Sequence, residues 1–208
     1  MIRDKNIEWI RQTYVIHADR FAIGAINSNT IEGFHTGAPQ YLEFSTFGFG
    51  AISIAAAGDT INVMDFGFPR LIDPANDIGV RVLWGVKADS GVNTSDVVTW
   101  LVKYDKFHIN EALTDPQATT GLSTVIAAQS PEATTTLRWY RSSRGRINGG
   151  LFNYNIRNGG ISWSVEADVL TGFDANEVKF LALELDYMPL LCANHIEDVQ
   201  YRKRLAAD

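Results

Sequence analysis

The sequence predicts an all-β protein, a sandwich or a barrel, on three observations. Apolar residues alternate with a period of two from about residue 40 onward, the runs end in Gly, Pro, Asn or Asp, and helical spacing is scarce. Alternation at that period sends successive side chains to opposite faces of a strand, so each run has one face to bury. At 208 residues, with 46% hydrophobic and 20% charged, the chain can bury a core without metal or disulfide and is expected to form one globular domain.

Residues 1–38, ending near "IEGFHTGAP", are less patterned and are expected to form an N-terminal arm, with "NIEWIRQTYVI" as one of two helix candidates. The sandwich domain is expected over residues 39–191. "QYLEFSTF" from Gln40 and "DTINVMDF" from Asp59 read as strands; "GAISIAAAG", too apolar to cradle a phosphate, reads as a packed strand between them. "GFPRLIDPANDIG", Gly67 to Gly79, carries two prolines between strand patterns and reads as a connection at a sandwich end. In "IGVRVLWGVK", Ile78, Val80, Val82, Trp84 and Val86 point one way, and Gly79, Arg81, Leu83, Gly85 and Lys87 the other. In "DVVTWLVKYDKF", Val98, Trp100, Val102 and Tyr104 oppose Val97, Thr99, Leu101 and Lys103. The turn cluster "ADSGVNTSD" between these two runs predicts a long-looped hairpin.

"TTTLRWYRS" from Thr134, "LFNYNIR" from Leu151 and "ISWSVEA" from Ile161 follow. Asn-Gly-Gly flanks the middle run on both sides, and Asn-Gly favours the type I′ turn of a tight hairpin, so a three-strand meander is expected from Thr134 to about Ala167. On its central strand Phe152, Tyr154 and Ile156 face inward, leaving Asn153, Asn155 and Arg157 outward. "KFLALELDYM" from Lys179 places Leu181, Leu183, Leu185 and Tyr187 on one face and Ala182, Glu184 and Asp186 on the other. About eight strands result. Residues 192–208, with the second helix candidate "NHIEDVQYRKRL", are expected to form a C-terminal tail.

The single cysteine, Cys192, cannot form an internal disulfide, and the residues after Met1 lack the apolar core of a signal peptide, so folding in a cytoplasm is expected. A net charge of −6 argues against general nucleic-acid binding, and no run is long enough to span a bilayer. Charge is nonetheless uneven. No acid occurs between Glu132 and Glu166, where Arg138, Arg141, Arg144, Arg146 and Arg157 all fall.

Catalytic signatures are missing from the pattern. His17, His35, His108 and His195 lie in separate segments, none at ligand spacing, so no metal and no cofactor is expected. Glu184 with Asp186, and Glu166 with Asp168, have the two-residue spacing that projects carboxylates together, as glycoside hydrolysis needs. "LELDY" is distantly similar to the acidic strand of laminarinase-like glycosidases, but Tyr187, Met188 and Pro189 stand where the further acid would be. Solvent-facing acids on an amphipathic strand are the favoured reading, and no enzyme activity is expected. Trp84 and Trp100 fall on apolar faces, and Trp139 and Trp163 also read as structural.

"DTINVMDFGFPRLIDPANDIGVRVLWGV", then "VVTWLVKY", a Ser/Thr-rich strand and "FLALELDYMP" together resemble small virion proteins of tailed bacteriophages, the marine type in particular, over about residues 59–190. The resemblance implies a jelly-roll-like antiparallel β-sandwich with extended N- and C-terminal arms. It implies a capsid decoration or cement protein that binds the major capsid protein or other virion proteins, is assembled in the host cytoplasm and works without catalysis. Closed symmetry is usual for homo-oligomers, and a trimer is the preferred order. The expected partner-binding residues are Arg144, Arg146, Asn153, Asn155 and Arg157, facing an acidic shell. The alternative is a carbohydrate-binding or glycan-degrading sandwich acting as a receptor-binding module.

Overall fold

The computed structural model describes residues 11–21, 35–36, 40–44, 49–65, 72–73, 75–86, 94–108, 123–131, 138–149, 159–174 and 177–189. In chain order the elements are β1 (Gln12–His17), a 3-10 turn (Ala18–Arg20), β2 (His35–Thr36), β3 (Gln40–Phe44), β4 (Phe49–Ile54) and β5 (Thr60–Asp65). They continue with β6 (Ile78–Val86), β7 (Val97–His108), β8 (Ser123–Gln129), β9 (Arg138–Arg141), β10 (Gly145–Ile147), β11 (Gly159–Thr171) and β12 (Val178–Tyr187). All pairings are antiparallel. The larger sheet runs β10-β6-β12-β4-β3, with β1 added to β12 and β9 to β6; the smaller runs β2-β5-β11-β7-β8. The antiparallel sandwich expected from the alternation is therefore the fold, with twelve strands among the described residues where about eight were expected, β2, β9 and β10 being short.

The alternating faces build the core. Ile78, Val80, Val82, Trp84 and Val86 of β6 are fully buried, as are Val98, Trp100 and Val102 of β7 and Trp163 of β11. Phe180 of β12 packs edge-on to Phe21 at 4.9 Å and tilted against Trp100 of the other sheet at 6.2 Å. Each such side chain contributes about 1.5–3 kcal/mol when buried. One carboxylate lies among them. Asp65 of β5 is fully buried; its Oδ1 accepts from the Tyr14 hydroxyl of β1 at 2.9 Å and from Arg20 Nη2 at 3.0 Å. Arg20 Nη1 also donates to the Tyr14 oxygen at 3.0 Å, so a polar staple joins the two sheets. A buried charge is tolerable only with such partners.

Several expectations are corrected. Residues 12–16, within the helix candidate "NIEWIRQTYVI", form β1, because Tyr14 and Ile16 pack inward opposite Leu185 and Leu183. With β2 also paired to β5, the sandwich begins inside the segment expected as an arm at residues 1–38. The runs joined by "ADSGVNTSD" are not a hairpin: β6 belongs to the larger sheet and β7 to the smaller. Alternation fixes which face is buried, not which strand lies alongside. The meander fails for the same reason, since β9 and β10 pair with β6 while β11 pairs with β5 and β7. Its central run, "LFNYNIR", lies outside the described residues, as do Cys192 and the helix candidate in the tail. On β12 a register shift between Phe180 and Ala182 puts Phe180 in the core and leaves Leu181 half-buried.

Residues 138–147 run along β6 as a single edge with one extra residue. Register holds from Val86↔Arg138 to Leu83↔Arg141 and resumes one position later from Val80↔Gly145 to Ile78↔Ile147. At the interruption the Val82 N–H donates to Ser142 Oγ at 2.8 Å, and the Ser142 N–H returns to the Val82 carbonyl at 2.9 Å. A serine hydroxyl thus replaces the missing ladder acceptor. The far side of this edge meets side chains of β8: Gln129 Nε2 donates to the Arg141 carbonyl at 3.4 Å, and the Arg146 N–H donates to Thr124 Oγ1 at 3.3 Å. These bonds cover an edge that would otherwise be open to another strand.

Candidate functional site

The period-two pattern leaves Gly79, Arg81, Leu83 and Gly85 of β6 on the outer face of the larger sheet, flanked by Glu184 and Asp186 of β12 and by Trp139 and Arg141 of β9. The two glycines share a role. A Cβ at Gly79 would overlap the Arg144 guanidinium, and a Cβ at Gly85 would overlap the Trp139 ring. Side chains from the β9–β10 edge therefore lie flat on β6 where it carries no side chain of its own.

Two arginines use this room to cross β6 and reach β12. Arg141 makes a two-pronged ion pair with Glu184, which is buried while the arginine is exposed. Such planar pairing is the strongest geometry open to a guanidinium and a carboxylate. The hydrogen bond to Glu184 holds Arg141 above the usual arginine pKa. Arg144 lies over Gly79 with its Nε 3.6 Å from Asp186 Oδ2. Arg81 Nη1 donates to the same oxygen at 2.7 Å, and Thr13 Oγ1 donates to Asp186 Oδ1 at 3.3 Å.

The "LELDY" carboxylates are thus the counter-ions of the acid-free arginine stretch. The other pair is similarly spoken for in part: Glu166 accepts from Lys103 Nζ at 2.8 Å, and a register shift between Ala167 and Val169 breaks the alternation at Asp168. Neither of these two pairs therefore presents both its carboxylates together, free of a cation, to an open space.

Charge on this face does not balance. Arg144 is pushed below the usual arginine value by burial first and then by Arg11, Arg81 and Arg146, with Asp186 alone pulling the other way. Arg81 and Arg144 thus share the Asp186 carboxylate, and Arg11 and Arg146 lie near enough to Arg144 to repel it, which gathers guanidiniums on an acidic chain. Arg146 projects outward from β10 opposite Gly79 and is exposed; Arg11 is anchored by contacts of 3.4 Å from Nη1 and Nη2 to the Asp77 carbonyl.

Of the residues expected to meet a partner, Arg144 and Arg146 come together here, and Arg144 is half committed to Asp186. Asn153, Asn155 and Arg157 lie outside the described residues. Arg11 and Arg81 were missed. Arg81 was legible as an outward position of β6, but only the strand order brings it beside Arg144, and Arg11 sat in a segment read as helix. Trp139, expected to be structural, is 37% exposed on the same face. Its strand partner Gly85 makes room for the ring on the sheet surface, a pairing that only the strand order reveals.

No protein-family model and no curated protein matches the chain. Among solved structures it is similar to a carbohydrate-binding module of a Cellvibrio mixtus lichenase in complex with cellotriose, at 11% identity and a TM-score of 0.38 over 83% of this chain and 95% of that one. A low-affinity xylan-binding module from Roseburia intestinalis gives 14% identity and a TM-score of 0.33, over 85% and 96% of the two chains. A protein of unknown function from Shewanella oneidensis gives 13% and 0.31, over 91% and 95%. Likeness at this level transfers neither a ligand nor a residue role.

Proposed function

We propose that the protein is a non-enzymatic binding module that docks by the outer face of its larger sheet onto an acidic protein surface, as a decoration subunit of a bacteriophage capsid. The observation that carries the docking face is the pairing of Arg81 and Arg144 with the one carboxylate of Asp186, with Arg11 and Arg146 close to Arg144. Guanidiniums in excess on a rigid sheet form a fixed positive potential, which steers an anionic partner and sets its orientation. The capsid setting rests on the resemblance over residues 59–190, and association into a closed trimer belongs to the same proposal. A non-catalytic role is supported by the engagement of Glu184 and Asp186 with arginines, which takes them away from proton transfer.

The test is sedimentation of purified protein with capsids of the phage that encodes it. Co-sedimentation that weakens as salt rises is expected, because exposed charges are screened within about 8 Å at physiological ionic strength. Recovery only in the unassembled fraction contradicts the proposal. Glycan recognition is the second reading, favoured by one observation, the exposure of Trp139 beside the Arg141–Glu184 pair.

A further inference from the structure

We infer that the outer face of β6 is a binding strip for an acidic polysaccharide, with a sugar ring stacked on Trp139 at one end and a carboxylate or sulfate of the same polymer held by Arg11, Arg144 and Arg146 at the other. This goes beyond docking onto a protein shell and depends on the second reading of this face.

Three features carry it. The first is the placement of Trp139. Its indole lies against Gly85, a position where any side chain would lift the ring off the sheet, and it remains 37% exposed. An indole held against backbone with part of its surface open offers an apolar platform to the C–H face of a pyranose, without the entropy of a mobile loop.

The second feature is the pair beside it. Arg141 stands two residues along β9 from Trp139, on the same face and about 7 Å away at strand rise. The Glu184 carboxylate fixes the Arg141 guanidinium, and 54% of the Arg141 side chain remains open to solvent. Held in this way, its remaining N–H groups are pre-organised donors for sugar hydroxyls.

The third is the arginine cluster. Gly79 and Gly85 lie on the same face of β6, six residues and therefore about 20 Å apart. Only an extended polymer of several sugar units reaches from one end to the other. Arg81 and Asp186 neutralise one another within the cluster, while Arg144, Arg146 and Arg11 supply charge beyond what Asp186 balances. A neutral glycan would satisfy the tryptophan end only. An acidic protein surface would satisfy the arginine end only. A polyanionic glycan satisfies both.

The experiment is calorimetric titration of the full chain with hexagalacturonate, cellohexaose and a hexaglutamate peptide, with dextran sulfate as a further arm to separate sulfate from carboxylate recognition. The wild type is expected to bind hexagalacturonate or dextran sulfate at least tenfold more tightly than cellohexaose. Trp139→Ala and Arg11→Glu/Arg146→Glu are each expected to weaken the acidic glycan at least tenfold, with Trp139→Phe recovering most of the loss. Circular dichroism and melting temperature guard against unfolding. Equal affinity for hexaglutamate, undiminished by Trp139→Ala, overturns the glycan strip and leaves docking onto an acidic protein standing. Absence of binding to both acidic glycans also overturns it, and the capsid experiment then decides the docking proposal on its own.

Discussion

At the residue scale, the acids and arginines of the outer face are one system. Asp186 is the common acceptor for Arg81, Arg144 and Thr13, so Asp186→Asn leaves several guanidiniums close together with no counter-charge. Loss of about 1–2 kcal/mol in urea denaturation is expected, smaller at high salt because the group is partly exposed. Stability equal to the wild type at low salt would show that the cluster does not repel itself. Titration gives a second expectation. Burial raises the hydroxyl pKa of Tyr14, Tyr104 and Tyr187 above the ordinary value of 10.0. The folded state therefore holds these protons more tightly than the unfolded state, and stability falls as pH rises through and above 10. Lys106, lowered by burial from 10.5, acts in the opposite sense and only below that value. Denaturation at pH 9, 10.5 and 11.5 is expected to show the decline, less steep in Tyr14→Phe; a flat profile above pH 10.5 would contradict it.

At the element scale, the edge formed by β9 and β10 depends on Ser142, whose hydroxyl accepts the buried Val82 N–H. Ser142→Ala leaves that donor unpaired and is expected to destabilise by about 1–3 kcal/mol, with faster amide exchange confined to β6 and its edge. Unchanged exchange at Val82 would show that the donor finds another acceptor. This edge also marks the limit of what the sequence could disclose. The strands β6, β7, β11 and β12, and their buried faces, were legible because period-two alternation is a property of each run alone. Which strands adjoin was not, since sheet partnership is decided by residues far apart in sequence; Gly85 and Trp139 are 54 positions apart yet directly paired. The segment "SSRGRINGG" read as loop because serine and glycine punctuate it. Here Gly145 faces Thr124 and Ile126 so closely that a side chain would crowd them, and Ser142 replaces a backbone acceptor, so the same residues build an edge.

At the scale of the whole molecule, a chain with a net charge of −6 concentrates positive charge on one face of one sheet. Arg144 and Arg146 were foreseen there from the acid-free stretch; Arg11 and Arg81 became visible only once β1, β6, β10 and β12 were placed side by side. The core beneath is continuous, with Trp84, Trp100 and Trp163 fully buried, so charge reversal on the surface leaves the fold intact. The most direct test of that face as the docking surface compares the wild type with Arg11→Glu/Arg146→Glu for binding to purified capsids by sedimentation at low and physiological salt. The docking account expects at least a tenfold loss of affinity at low salt, with the melting temperature unchanged. A double variant that sediments with capsids as the wild type does, at both salt concentrations, would contradict it.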